Sequence, residues 1–274
     1  MSIKADCHLH SSHSGDSDAS MEDMIREGIR RGLTHMCFTE HNDFDFPVSE
    51  DTPQGMFELN ADAYLYDLIR LREKYAGQIQ LLFGVELGLQ PHLMRQNAIF
   101  AKAHDYDFII GSSHICGGRD PYYPAFYEGR RQEEAYREYF QSIIDNIKKF
   151  ENFDVYGHLD YVVRYGPEKD LGYTYEKYGD LFDKILELLL EKGKGLEINT
   201  GGIQGGLRDV HPCIEVVRRY KQKGGEIITI GSDAHDPAEI AANFHRAEEV
   251  LQECGFRYYT VFEKRQPEFI RFGS

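Results

Sequence analysis

Three histidines and two aspartates fall within the eleven residues Asp6-Cys7-His8-Leu9-His10-Ser11-Ser12-His13-Ser14-Gly15-Asp16. In an extended segment His8 and His10 project to one side and Leu9 to the other, so two imidazoles can share a cation. An isolated His-x-His is a weak signal. It gains weight because later segments end in the same residue types: Glu40-His41, Gly84-Val85-Glu86, Ser112-Ser113-His114, Gly157-His158-Leu159-Asp160 and Ser232-Asp233-Ala234-His235. Neutral imidazoles and carboxylates suit Zn²⁺, Mn²⁺ or Fe²⁺, and with Asp16 the candidates exceed the roughly four to six ligands that one ion uses. Two or three ions are implied, with Glu86 a reasonable bridge. Ions ~3.5–4 Å apart lower the pKa of a shared water and stabilise both the attacking and the leaving oxygen, which is what phosphoester hydrolysis requires.

The elements that must position these residues alternate in type. Short β-like runs are expected before His8 and over 34–39, 79–85, 108–111, 153–157, 195–198 and 226–230. Helices are expected over 21–31, 59–75, 92–104, 132–150, 175–192, 212–223 and 237–253, and one more strand over 258–262. Strands alternating with helices imply a parallel sheet, and seven of them can close into a barrel whose active site lies at the carboxyl ends of the strands. His8, His10, His41, Glu86, His114, His158, Asp233 and His235 all fall there. The long connections 43–59 and 116–131 would shape substrate fit. Tyr122, Tyr123, Phe126 and Tyr127 could wall a pocket for a small ring or simply cover the barrel mouth.

A formal charge of -15 over 274 residues disfavours a nucleic-acid partner and gives no polybasic membrane anchor. No apolar run is long enough to span a bilayer, and the start lacks a basic-then-apolar signal, so a cytoplasmic protein is expected. Cys7, Cys37, Cys116, Cys213 and Cys254 are scattered and odd in number, the pattern of free buried thiols. His35, His92, His104, His211 and His245 lie off the ligand pattern and read as structural or surface residues.

Taken in order, Asp6-Cys7-His8-Leu9-His10 through Asp16, Thr39-Glu40-His41, Gly84-Val85-Glu86, Gly111-Ser112-Ser113-His114, Gly157-His158-Leu159-Asp160 and Gly231-Ser232-Asp233-Ala234-His235 resemble the polymerase and histidinol phosphatase (PHP) family over nearly the whole chain. Gly-His-Leu-Asp-Tyr and Glu-Ile-Asn-Thr-Gly are most similar to the monofunctional histidinol-phosphate phosphatases of histidine biosynthesis. The resemblance implies one PHP-type domain over residues 1–274, an α/β fold forming a distorted (β/α)7 TIM-like barrel, and three divalent ions. It suggests His8, His10, Glu86 and Asp233 for one ion, Glu86, His114 and His158 for a second, and Asp16, His41 and His235 for a third, with His13 competing for the place of Asp16. The implied reaction is metal-dependent hydrolysis of L-histidinol phosphate by direct attack of an activated water. The alternative is a PHP phosphoesterase acting on nucleotides or another small phosphate monoester. Arg164 matches an arginine common in the histidinol phosphatases, and Arg208 is a second choice for phosphate, since Gln204 stands where a basic residue is often found. Asp160 is a candidate acid for the leaving group. Asp43, Asp45 and Glu128 are candidates, by location alone, for the substrate's ammonium group.

Overall fold

The computed structural model describes residues 2–273. Seven strands, β1 (Ala5–Leu9), β2 (His35–Asn42), β3 (Gln80–Gly88), β4 (Phe108–Ser112), β5 (Val155–Tyr156), β6 (Gly195–Asn199) and β7 (Ile228–Gly231), form one sheet in sequential order. All neighbouring pairs are parallel. The major crossovers are the helices α1 (Met21–Arg30), α2 (Ala61–Lys74), α3 (Met94–Ala103), α4 (Gln132–Lys149), α6 (Tyr175–Glu191) and α8 (Ile214–Gln222), and α9 (Phe244–Glu253) follows β7. Two single-turn helices, α5 (Val162–Tyr165) and α7 (Gly201–Gln204), lie in the connections after β5 and β6.

Local chemistry places these boundaries. The Ser20 side chain accepts from the Asp23 N–H to cap α1, and Gly32, at φ 78°, ends it in a backbone that costs glycine little. Strands such as Phe108-Ile109-Ile110 are buried on both faces, as expected when helices cover a parallel sheet.

The barrel is nearly closed. Between β1 and β7 the seam is made beyond the regular ladder: the His10 N–H donates to the Ala234 carbonyl and the Asp233 N–H to the His8 carbonyl, both at 2.8 Å. Deeper in the same seam the fully buried Asp6 carboxylate accepts from the Ser232 N–H at 3.0 Å, the Ser232 hydroxyl at 2.6 Å and the Ala241 N–H at 2.9 Å.

Two expectations are corrected and one is extended. The helix expected over 237–253 is a 3₁₀ turn, Pro237–Glu239, and then α9, because Ala241 and Asn243 both take left-handed backbone, φ 49° and 58°, and break the hydrogen-bond ladder. The strand expected at 258–262 is half of an antiparallel hairpin, β8 (Tyr258–Glu263) and β9 (Gln266–Arg271). The turn between them has Lys264 and Arg265 at positive φ, without the glycine or asparagine that announces such turns. The strand expected over 153–157 pairs only at Val155 and Tyr156. Among the described residues no helix is long and apolar enough to cross a membrane.

Candidate active site

The carboxyl ends of the strands bring Glu86 and seven other expected donors together, and Asp16 joins them from the loop after β1. Glu86 is fully buried on β3. One of its oxygens, Oε2, faces His41 Nδ1 at 3.1 Å, His8 Nε2 at 3.2 Å and His10 Nε2 at 3.7 Å. The other, Oε1, faces His158 Nε2 at 2.9 Å and His114 Nε2 at 3.1 Å. Asp233 Oδ1 lies 3.6 and 3.5 Å from the Nε2 atoms of His8 and His10. Its backbone is left-handed at φ 58°, a costly conformation for a non-glycine residue that the seam hydrogen bonds hold in place. Asp16 Oδ2 lies 3.4 Å from His41 Nε2 and 3.2 Å from His235 Nε2.

At the end of the first loop the two competing residues part. Asp16 joins the cluster, whereas His13 turns away to Asp67 on α2 at 3.2 Å. One ligand is regrouped as well: His41 presents Nδ1 to Glu86 beside His114 and Nε2 to Asp16.

The donor set fits divalent metal. Buried His8 Nε2, His10 Nε2, His41 Nδ1 and Glu86 Oε2 have no hydrogen-bond partner although they converge, a pattern too expensive for a structural polar network. Burial opposes charge on His8, yet Glu197, Glu86 and Asp233 hold its imidazole well above the usual value. Burial would likewise raise the Glu86 carboxyl, but His8, His114 and His41 keep it well below the usual carboxylate range. His10 goes the other way, to about 3, through burial and then the neighbouring His41 and His235. The centre therefore attracts positive charge while keeping His10 a neutral donor. Four groups of three residues bring ligand atoms close enough to hold an ion: His8, His10 and Asp233; His8, Glu86 and His158; His41, Glu86 and His114; and His10, His41 and His235.

An outer ring of carboxylates, missed as a function in the sequence, orients these imidazoles. Glu197 Oε1 takes His8 Nδ1 at 2.6 Å, while its Oε2 accepts from the His158 N–H at 2.8 Å. Asp43 takes His114 Nδ1 at 2.7 Å. Glu40 accepts from the hydroxyl of Ser14, whose oxygen also lies 3.1 Å from His10 Nδ1. Such partners fix which ring nitrogen faces a metal and raise its basicity. The sequence signal was the alternation Glu197-x-Asn199 on a buried strand, polar where a core strand should be apolar.

Above the cluster opens a cavity of about 350 Å³, lined by Phe46, Phe57, Tyr122, Tyr123, Tyr161 and Tyr165, and by Asp51, Asp120 and Arg164. The aromatic run thus divides: Tyr122 and Tyr123 form wall, while Phe126 and Tyr127 are buried, Phe126 under the guanidinium of Arg130 and Tyr127 bonded to the Val162 carbonyl. The side chain of Arg164 is 13% exposed, with Nη2 3.1 Å from Asp233 Oδ2. Asp120 is buried, and burial pushes its carboxyl up to about 6.

Several candidates lie elsewhere. Arg208 does not line this cavity; it is exposed and leans toward Asp170. Asp160 is buried against His211, Tyr173 and Cys213 instead of facing the cavity. Asp45 pairs with His92 beside a separate groove, Glu128 is exposed outside the cavity, and Asp43 is committed to His114.

Comparison with known proteins shows what the chain is similar to. A family model described as PHP domain matches residues 6–201. A histidinol-phosphatase of Lactococcus lactis is 33% identical over 260 residues, covering 94% of each chain. A Clostridium acetobutylicum protein named probable histidinol-phosphatase is 30% identical, over 95% of this chain and 97% of its own. The crystal structure of histidinol phosphate phosphatase from Lactococcus lactis, complexed with zinc, L-histidinol and phosphate, superposes with a TM-score of 0.87 at 31% identity, covering 97% of this chain and 98% of that one. With the barrel and these matches in agreement, the chain belongs to the PHP family.

Proposed function

We propose that this chain is a histidinol-phosphatase, a phosphoric monoester hydrolase that converts L-histidinol phosphate to L-histidinol and phosphate. The carrying observation is the set of unpartnered imidazole and carboxylate atoms around Glu86, at the floor of an aromatic cavity edged by Arg164. The substrate follows from the relatives that share this frame over nearly their whole length. Three divalent ions, of zinc, manganese or iron, would be held by His8, His10, Asp16, His41, Glu86, His114, His158, Asp233 and His235. When bound, such ions bring water toward ionisation near neutral pH and neutralise phosphoryl oxygens.

The chain's own residues do the rest. Arg164, held by Asp233 and lying within 6.0 Å of the Tyr161 and Tyr165 ring centroids, offers its remaining N–H groups to the phosphate as charge builds on its oxygens. Tyr122, Tyr123 and Tyr161 supply flat apolar faces for the imidazole of the substrate, and Asp120 a carboxylate for its cationic end. Asp160 is reassigned. Burial would raise its carboxyl, but His211 and the donors around it hold it below the usual range, so it has no proton to give a leaving alkoxide. The five free thiols suit the reducing cytoplasm in which we place the enzyme.

The reading is tested with purified chain loaded with zinc or manganese and a panel of phosphate monoesters. Histidinol phosphate should exceed nucleoside monophosphates by about tenfold or more in kcat/KM. Equal turnover of nucleotides would overturn the substrate, and activity surviving complete chelation would overturn the metal.

A further inference from the structure

We propose that Asp160 and His211 form a relay that positions Arg164, so that a carboxylate and an imidazole outside the cavity set the direction in which the guanidinium meets phosphate. The inference rests on the reading of Arg164 as phosphate partner. Both side chains are almost fully buried, at 2% and 1% exposure, and neither is among the residues around Glu86 or lining the cavity.

Asp160 is saturated. One oxygen accepts from His211 Nδ1, and the other accepts from the Tyr173 hydroxyl at 2.7 Å and from the Cys213 N–H at 3.0 Å. His211 is clamped at its backbone as well: it exchanges both main-chain hydrogen bonds with Asn199, at 2.7 and 2.8 Å, beside the end of β6. Its ring lies against Gly202, where an added Cβ would come within 2.5 Å of Cδ2. The imidazole therefore has one orientation. With its Nδ1 hydrogen given to Asp160, Nε2 carries a lone pair, and the Nε–H of Arg164 points at it from 3.4 Å. A ring protonated on Nε2 would instead face Arg164 donor to donor. Burial keeps the ring neutral against the pull of Asp160, as this assignment requires. Arg164 is then gripped on two edges of its plane, by His211 at Nε and by Asp233 at Nη2. Gripped in this way, Arg164 lines the cavity beside Tyr161 and Tyr165, with N–H groups left to offer there.

This is a positioning role, and its signature is dependence on Arg164. In the metal-loaded enzyme, His211→Ala should lower kcat/KM for histidinol phosphate by about 10- to 100-fold, the usual cost of losing an orienting partner. The same change made on Arg164→Ala should cost little more, because contacting residues that act as a unit are non-additive. His211→Gln, whose amide oxygen can still accept from Arg164, should recover part of the loss. Losses that multiply in the double variant would show that His211 only supports the loop and would overturn the relay. If Arg164→Ala alone left kcat/KM unchanged, the functional reading of Arg164 would fail first and the relay with it. A second measurement is independent of turnover and of the folding of any variant. In ¹⁵N-histidine-labelled wild-type protein, His211 should carry its proton on Nδ1 with Nε2 bare; the opposite tautomer overturns the proposal.

Discussion

At the amino-terminal end of the barrel, Asp107 and Asp154 are buried, and each is met by a backbone N–H and an arginine. Asp107 accepts from the Phe83 N–H at 2.9 Å, Arg72 at 2.7 Å and the Lys264 N–H at 3.0 Å. Asp154 takes the Ile109 N–H at 2.8 Å and the guanidinium of Arg265 from the hairpin turn. At the carboxyl end, Glu86 and Asp233 meet five imidazoles between them, and several of the facing atoms have no hydrogen-bond partner. The same fold thus satisfies buried charge where it only has to be stable, and leaves it hungry where it has chemistry to do. The contrast separates residues whose loss should unfold the protein from those whose loss should silence it.

The sharpest test is Glu86→Gln. It should reduce kcat by about 10³-fold or more and shed bound metal, read by phosphate release and elemental analysis, because one residue serves both halves of the cluster. Retention of full metal content would break the contrast from the functional side. Asp107→Ala tests the other end: leaving Arg72 and two N–H groups unanswered should cost about 2–4 kcal/mol in denaturant melts, with kcat/KM at 25 °C nearly unchanged. Asp120 lies between the two cases, a cavity carboxylate raised to about 6 by burial. Its folded pKa exceeds the unfolded value, so the folded state binds its proton more tightly, and stability falls as pH rises from about 4 through 6. Asp120→Asn should therefore stabilise the protein at pH 7.5 by on the order of 1–3 kcal/mol, an advantage that shrinks toward pH 4, while KM for histidinol phosphate rises. In the parent enzyme the same KM should climb below pH 6. The smallest effect belongs to His13→Ala, within about 0.5 kcal/mol in stability and without loss of metal, whereas Asp16→Ala should lose an ion; equal behaviour of the two would undo the choice between them.

The cluster was legible in the sequence because ligands at strand ends must be polar where the preceding residues are apolar, and that switch recurs at each of His8, His41, Glu86, His114, His158 and Asp233. What could not be read was direction. Asp160 sits two residues beyond His158 and looked available, but the turn after β5 sends its carboxylate into the body of the protein, against His211. Arg208 is four residues from Gln204, yet its loop carries it out to solvent near Asp170. The outer carboxylates Glu40 and Glu197 stand in visible motifs, but their role is not local, since their partners, Ser14 and His8, come from another strand's loop or end. The hairpin turn escaped notice because Lys264 and Arg265 adopt a backbone their side chains do not advertise.

The seam between the first and last barrel strands also bears on how the protein is made. Asp6 and Ser232, which clasp it, are 226 positions apart, and His8 and His10 stand on one side of it with Asp233 and His235 on the other. Contacts of such sequence separation form late, since the intervening chain must first be gathered. During synthesis the first strand can pair early with β2 on one edge, but its other edge, with Asp6, must wait for nearly the entire polypeptide to emerge. Competence then arrives in one step, when Gly231 to His235 dock. A ribosome that stops before Gly231 therefore yields a product with its first strand intact but without Asp233 and His235, two of the residues proposed to hold metal.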